Sequence, residues 1–184
     1  MSSLYKTALS ELEGVFEKLN DADVDKALEM IVNAQSTVVF GGGRERLQIM
    51  GFAMRLYHMG LKVAVEGDMT TPPVGKGDLF VVTVGPGEIS TALALLDVAK
   101  RAGAAILVLT AQPNGRAAAY ADFVLTIPAQ TMADDQGAEK CSVLPMGSLY
   151  EGALFVLFEV MVLKLRDWLA IDPEVMRGNH TNLE

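Results

Sequence analysis

The stretches Ser36-Thr37-Val38-Val39-Phe40-Gly41-Gly42-Gly43-Arg44 and Asp78-Leu79-Phe80-Val81-Val82-Thr83-Val84-Gly85-Pro86-Gly87-Glu88 share one design. Each is a short, continuous apolar run that ends in glycines and gives way to a helical pattern. Continuous rather than alternating hydrophobicity marks a strand covered on both faces, and strands alternating with helices build a parallel sheet. Runs at 61–65, 104–110 and 122–127 complete a set of five. Between them, residues 44–59 read as a helix with Leu47, Met50, Phe52, Leu56 and Met59 as inward candidates and Gly60 as its stop. Residues 88–102 form another, ended by Gly103, and a short helix follows the Pro113-Asn114-Gly115 turn. Amphipathic helices over 3–19 and 24–34, the second capped by Asp23, precede the first strand. The pattern predicts an α/β fold, with helices on both faces of a five-stranded parallel sheet and right-handed crossovers.

At 184 residues, the chain suits one domain over 1–184. Residues 129–146 read as loop, 147–169 as a long helix and 172–184 as a polar C-terminal arm. Ala153-Leu154-Phe155-Val156-Leu157-Phe158 is apolar nearly all round, which predicts contact with another subunit as well as with the sheet. No apolar run reaches the roughly 20 residues of a membrane span, and the N-terminus carries no leader pattern, so a cytoplasmic protein is expected. The net charge of −8 opposes nucleic-acid binding, which needs a positive surface to displace counterions. One cysteine and two histidines leave no metal-ligand cluster, so no metal is expected.

In open parallel sheets, ligands bind outside the carboxyl ends of the strands. The turns holding Gly41 and Gly43, and Gly85 and Gly87, lie at two such ends, where helix N-termini and unshielded backbone face one crevice. Neither turn continues into the Gly-Lys-Ser/Thr of a nucleotide loop, and Arg46 stands where a dinucleotide fingerprint needs its third glycine. The expected ligand is a small molecule of another class.

The ordered set Phe40-Gly41-Gly42-Gly43-Arg44, Phe52-Ala53-Met54-Arg55-Leu56, Thr70-Thr71-Pro72, Gly85-x-Gly87, Leu144-Pro145-Met146-Gly147 and Glu151 resembles the sugar isomerase (SIS) domain family. Within it, the set and the His180-Thr181-Asn182-Leu183 tail are similar to the 6-phospho-3-hexuloisomerase branch. The resemblance implies a three-layer αβα sandwich, assembly as a homodimer or homotetramer, and no cofactor. It also implies an isomerase of a sugar or sugar phosphate that moves a carbonyl between adjacent carbons through an enediol. Such a reaction needs one carboxylate to remove a proton beside the carbonyl and return it to the old carbonyl carbon. By the resemblance, Glu151 is that base and His180 a second catalytic group. Read alone, Glu151 is also a first-turn glutamate suited to a helix dipole, His180 a solvated tail residue, and His58 a histidine serving nearby carbonyls. Arg44 forks onto substrate oxygens or pairs with an acidic residue.

The anion-binding turns depart from the family pattern. Glu45 replaces the serine of the first, and Val84, Pro86 and Ile89 stand at three hydroxyl positions of the second. Each lost donor costs about 1–2 kcal/mol, and Glu45 and Glu88 bring negative charge to a site meant for a dianion. Ser90, Thr91 and Ser148 are candidate replacements. Three readings remain: a phosphosugar isomerase with a rebuilt anion site, an isomerase of a non-phosphorylated or otherwise decorated sugar, and a non-catalytic sugar-binding module.

Overall fold

The computed structural model describes residues 3–183, without the side chain of Glu139. Five strands, β1 (Thr37–Gly41), β2 (Val63–Val65), β3 (Leu79–Thr83), β4 (Ala105–Thr110) and β5 (Phe123–Thr126), pair in parallel in the order β2-β1-β3-β4-β5. All of β1 and β3 is buried, as their unbroken apolar runs predict. Successive side chains point to opposite faces and found two cores. Val39, Val81, Leu107 and Leu109 pack under α1 (Leu4–Phe16), α2 (Asp21–Asn33), α3 (Glu45–His58) and α5 (Ser148–Trp168). Val38, Phe40, Phe80, Val82, Ile106 and Val108 pack under α4 (Ser90–Ala102) and the 3-10 turn Arg116–Tyr120. The result is the three-layer αβα sandwich.

From β1 the chain passes through α3 to β2 on one side, and from β3 through α4 to β4 on the other. Right-handed crossovers that travel in opposite directions place their helices on opposite faces, and α3 and α4 lie so. The topology therefore reverses between β1 and β3, and a crevice opens beyond their carboxyl ends.

Several local expectations are corrected. Asn20, not Asp23, caps α2: its Oδ1 accepts from the Ala22 N–H at 3.2 Å, while its Nδ2 donates to Asp23. Leu47 and Met50 face outward, with Ile49 and Ala53 buried in their place. The inward stripe of α3 runs 45, 49, 52, 53, 56, and Leu47, Met50, Met54 and Tyr57 form a separate exposed stripe. On α5, which packs on α3 through stacked Phe52 and Phe158 rings 4.5 Å apart, Phe155 and Leu163 are exposed too. Within the expected arm, Pro173–Gly178 forms a short helix, α6, that returns to α3. Among the described residues no helix is long and apolar enough to cross a membrane.

Candidate active site

A cavity of about 480 Å³ lies at the crevice. The β1 turn contributes Gly42, Gly43 and Arg44, α3 contributes Glu45, and the β3 turn contributes Pro86 and Ile89. Tyr150 and Glu151 enter from α5, with Thr131, Met132 and Met146 from the loop before it. That loop is pinned: Gln130 Oε1 accepts from the Cys141 and Ser142 N–H groups, and Glu11 of α1 accepts from Ser142 and Val143. A larger cleft of about 670 Å³ opens at the other end of β1 and contains neither Glu45 nor Glu151.

Arg44 starts α3 and crosses to the first turn of α5. Its guanidinium donates to Ser148 Oγ at 2.6 Å and pairs with Glu151 Oε2. The arginine is 59% exposed while Glu151 is only 17% exposed, so the carboxylate is set into the wall and the cation forms the rim. Of the two readings of Arg44, the structure shows the internal ion pair. Gly147 leaves the space beside Glu151 open; a Cβ there would lie 3.8 Å from Glu151 Oε1.

Glu45 points inward and is buried. Its Oε2 accepts from Thr83 Oγ1 at 2.7 Å, and both oxygens share the Gly85 N–H at 3.0 and 3.1 Å. Since Thr83 donates its single hydroxyl proton to Glu45, the Tyr150 hydroxyl, 3.1 Å away, donates to Thr83. Burial pushes the Glu45 carboxyl up to about 7, partly offset by the Thr83 and Gly85 hydrogen bonds and reinforced by the charge of Glu151. Burial holds the Tyr150 phenol well above its ordinary range, so it stays a neutral donor.

The glycines are explained by close approach. A Cβ at Gly41 would lie 2.9 Å from Arg46 N and Thr83 Cγ2, and one at Gly85 would lie 2.8 Å from the Tyr150 ring. Gly87 has φ +80° and abuts Gln112 and Gly115.

Other expected site residues lie elsewhere. Glu88 is exposed and pairs with Arg116 at 2.6 Å, outside the cavity. Ser90 and Thr91 are exposed on α4 and do not line it, so they restore no hydroxyl to it. His180 packs its ring 5.1 Å from that of His58, at the far end of α3 from Glu45. The 14 residues of α3 span about 20 Å, and the clefts that contain His180 share no lining residue with the Glu151 cavity. Within one chain, His180 and Glu151 are apart. Thr83 and Tyr150 escaped the sequence reading. The signal for them was slight, a lone hydroxyl closing an apolar strand and a tyrosine next to the expected base. Among the described residues no three His, Cys, Asp or Glu side chains group as a metal site.

The SIS domain model matches residues 30–154, more than half the chain. This chain belongs to the SIS family. It is 31% identical over 176 residues to a 3-hexulose-6-phosphate isomerase of Bacillus subtilis (strain 168), covering 96% of this chain and 95% of that one. To a protein of the same name from Mycobacterium gastri it is 36% identical over 174 residues, 95% of this chain and 86% of the relative. A crystal structure from Methanococcus jannaschii, described as inferring a 3-hexulose-6-phosphate isomerase function, superposes with a TM-score of 0.85 over 98% of both chains at 23% identity, a likeness of fold. Membership of the SIS family and relatives named as isomerases over nearly the whole length agree with the expected fold and reaction class.

Proposed function

We propose that this SIS-family isomerase moves a carbonyl between adjacent carbons of a sugar phosphate through an enediol, with Glu151 as the base. The observation that carries the assignment is Glu151 itself, a recessed carboxylate paired with Arg44 in the cavity at the sheet's switch point. The carboxylate takes a proton from the carbon beside the carbonyl. The C–H electron pair becomes the C=C bond of the enediol, and the carbonyl oxygen gains a proton. In the second half the other hydroxyl gives up its proton as its oxygen becomes the new carbonyl, and Glu151 returns a proton to the old carbonyl carbon. No net oxidation occurs. Arg44, already beside Glu151, is placed to bind the oxygens on which charge develops.

3-Hexulose-6-phosphate, named for the relatives, is the first compound to assay. Glu45 beside Gly85 favours a second reading, a sugar without phosphate, so the unphosphorylated ketose belongs in the same experiment. In D2O the active chain incorporates deuterium at the carbon beside the carbonyl. Glu151→Gln, which keeps the shape and the helix, is expected to lower turnover by about 10²–10⁴-fold with unchanged circular dichroism. Full activity in that variant removes Glu151 as the base and returns the chain to a binding role.

The same proposal makes the protein a cytoplasmic homo-oligomer. The assembly is supported by the exposed Leu47, Met50, Met54 and Tyr57 stripe of α3 and by the exposed Phe155 and Leu163 of α5. His180, apart from Glu151 in its own chain, would then serve a neighbouring subunit's site.

A further inference from the structure

The first main-chain donors of the β3 turn are already committed. Val84 N–H donates to Leu109 O at 2.9 Å, Gly85 N–H to Glu45, and Gly87 N–H to Val84 O at 3.0 Å. Pro86 has none. The hydroxyl that closes β3, on Thr83, is committed to Glu45 as well. A carboxylate of the chain therefore occupies the Gly85 amide and the Thr83 hydroxyl, the two donors at the root of this turn, in place of a bound anion. Among the described residues Glu45 makes no ion pair, and the one arginine lining the cavity, Arg44, is paired with Glu151. With both carboxylates ionised, the lining carries one positive and two negative charges. Its remaining surface over the β3 turn is apolar, from Pro86 and Ile89.

We infer that Glu45 is a specificity-determining residue: it takes the anion position beside Gly85, admits a hydroxyl or ammonium group there, and turns a phosphate group away. The substrate part lying against this turn is a hydrogen-bond donor to Glu45. A phosphate ester, where the substrate carries one, points away from the turn. The inference rests on the isomerase reading only for which cavity the sugar enters.

Sulfate and inorganic phosphate are the probes, titrated calorimetrically into the full chain, Glu45→Gln and Glu45→Ser. Glu45→Gln removes the charge but can still accept from Gly85, whereas Glu45→Ser also frees the amide and supplies a hydroxyl. Removing one like charge within several ångströms changes anion affinity by on the order of 10–100-fold at intermediate dielectric. Both variants are therefore expected to bind the anions that much more tightly than the native chain, with Glu45→Ser the tighter. Should Glu45→Ser not fold, the native chain and Glu45→Gln still decide. Sulfate keeps its charge between pH 6 and 8, so its binding to the native chain strengthens toward pH 6 as Glu45 gains a proton. Arg44 and Tyr150, the other groups facing Glu45, hold their charge states over that range, and Glu151 is common to both proteins, so Glu45→Gln lacks this added strengthening. Equal anion affinity in all three proteins, including no binding in any, overturns the inference. If the native chain turns over neither phosphorylated nor unphosphorylated 3-hexulose, the isomerase reading fails, while the anion result still stands or falls by itself.

Discussion

Glu45 makes a measurable demand on stability. Its carboxyl is raised from the ordinary 4.5 to about 7, a difference of about 2.5, chiefly because burial opposes the charged form. At about 1.4 kcal/mol per unit, the ionised group costs the fold roughly 3 kcal/mol. For an acid with a raised native pKa, the unfolded chain releases its proton first. Stability is therefore whole below about pH 4.5, declines as pH rises toward 7, and carries the full cost above it. About 2.5 kcal/mol of that loss falls between pH 5 and 8. Glu45→Gln keeps the volume and an acceptor for Gly85 but cannot ionise. Its melting temperature, measured against the native chain, should therefore rise by about 5–10 °C more at pH 8 than at pH 5 for a chain of this length. Scanning calorimetry of the two proteins at both pH values, at fixed ionic strength, is the assay. A difference between the melting temperatures that does not change with pH would show that Glu45 holds its proton no more tightly in the folded chain than in the unfolded one. The reasoning from burial would then be refuted.

Gly87→Ala places a Cβ 2.7 Å from Gln112 Cβ at φ +80°, and should destabilise the fold by more than the roughly 1–2 kcal/mol that the left-handed conformation alone costs a residue with a Cβ, read by urea unfolding. Tyr150→Phe leaves Thr83 bonded to Glu45 but removes the donor behind it. A loss of about 1–2 kcal/mol is expected at pH 8 with the cavity intact, and an unchanged urea midpoint would contradict the relay. If the chain forms the proposed homo-oligomer through this face, Phe155→Glu, on the exposed side of α5, should shift it toward monomer in analytical ultracentrifugation while circular dichroism is unchanged. An unaltered sedimentation profile would remove this face from the proposed contact.

Much of the fold was legible because its signals are local. The β-branched runs and their glycine stops locate every strand to within a residue or two, and Gly60 and Gly103, at φ +84° and +82°, end their helices as expected. Edges moved where pairing decided them. Gly41 belongs to β1 because it pairs with Thr83, while Ser36 lies outside and bonds Asp78 through its side chain. Asn20 and Asp23 are both capping residues. Which of them serves depends on where α2 docks, and Lys164 of α5 holds Asp21 and Asp25 in its first turns. Leu47 and Met50 have helical spacing but lie on the wrong stripe, and periodicity alone does not say which of two apolar stripes meets the sheet.

The amino-acid order alone located the two glycine turns and the parallel sheet, since each follows from chain geometry, while Glu151 as candidate base came from the family resemblance. It left open whether Glu45 and Glu88 enter the crevice and whether Arg44 faces substrate or carboxylate. Those depend on partners far off in sequence. Glu45 turns inward because the Gly85 amide and the Thr83 hydroxyl need an acceptor under Tyr150, and Glu88 turns outward to Arg116. Arg44 reaches Glu151, 107 positions away, because β1 and α5 bring their ends together. A buried polar group must find its complement wherever the fold supplies one, and only the assembled sheet and helices determine that place.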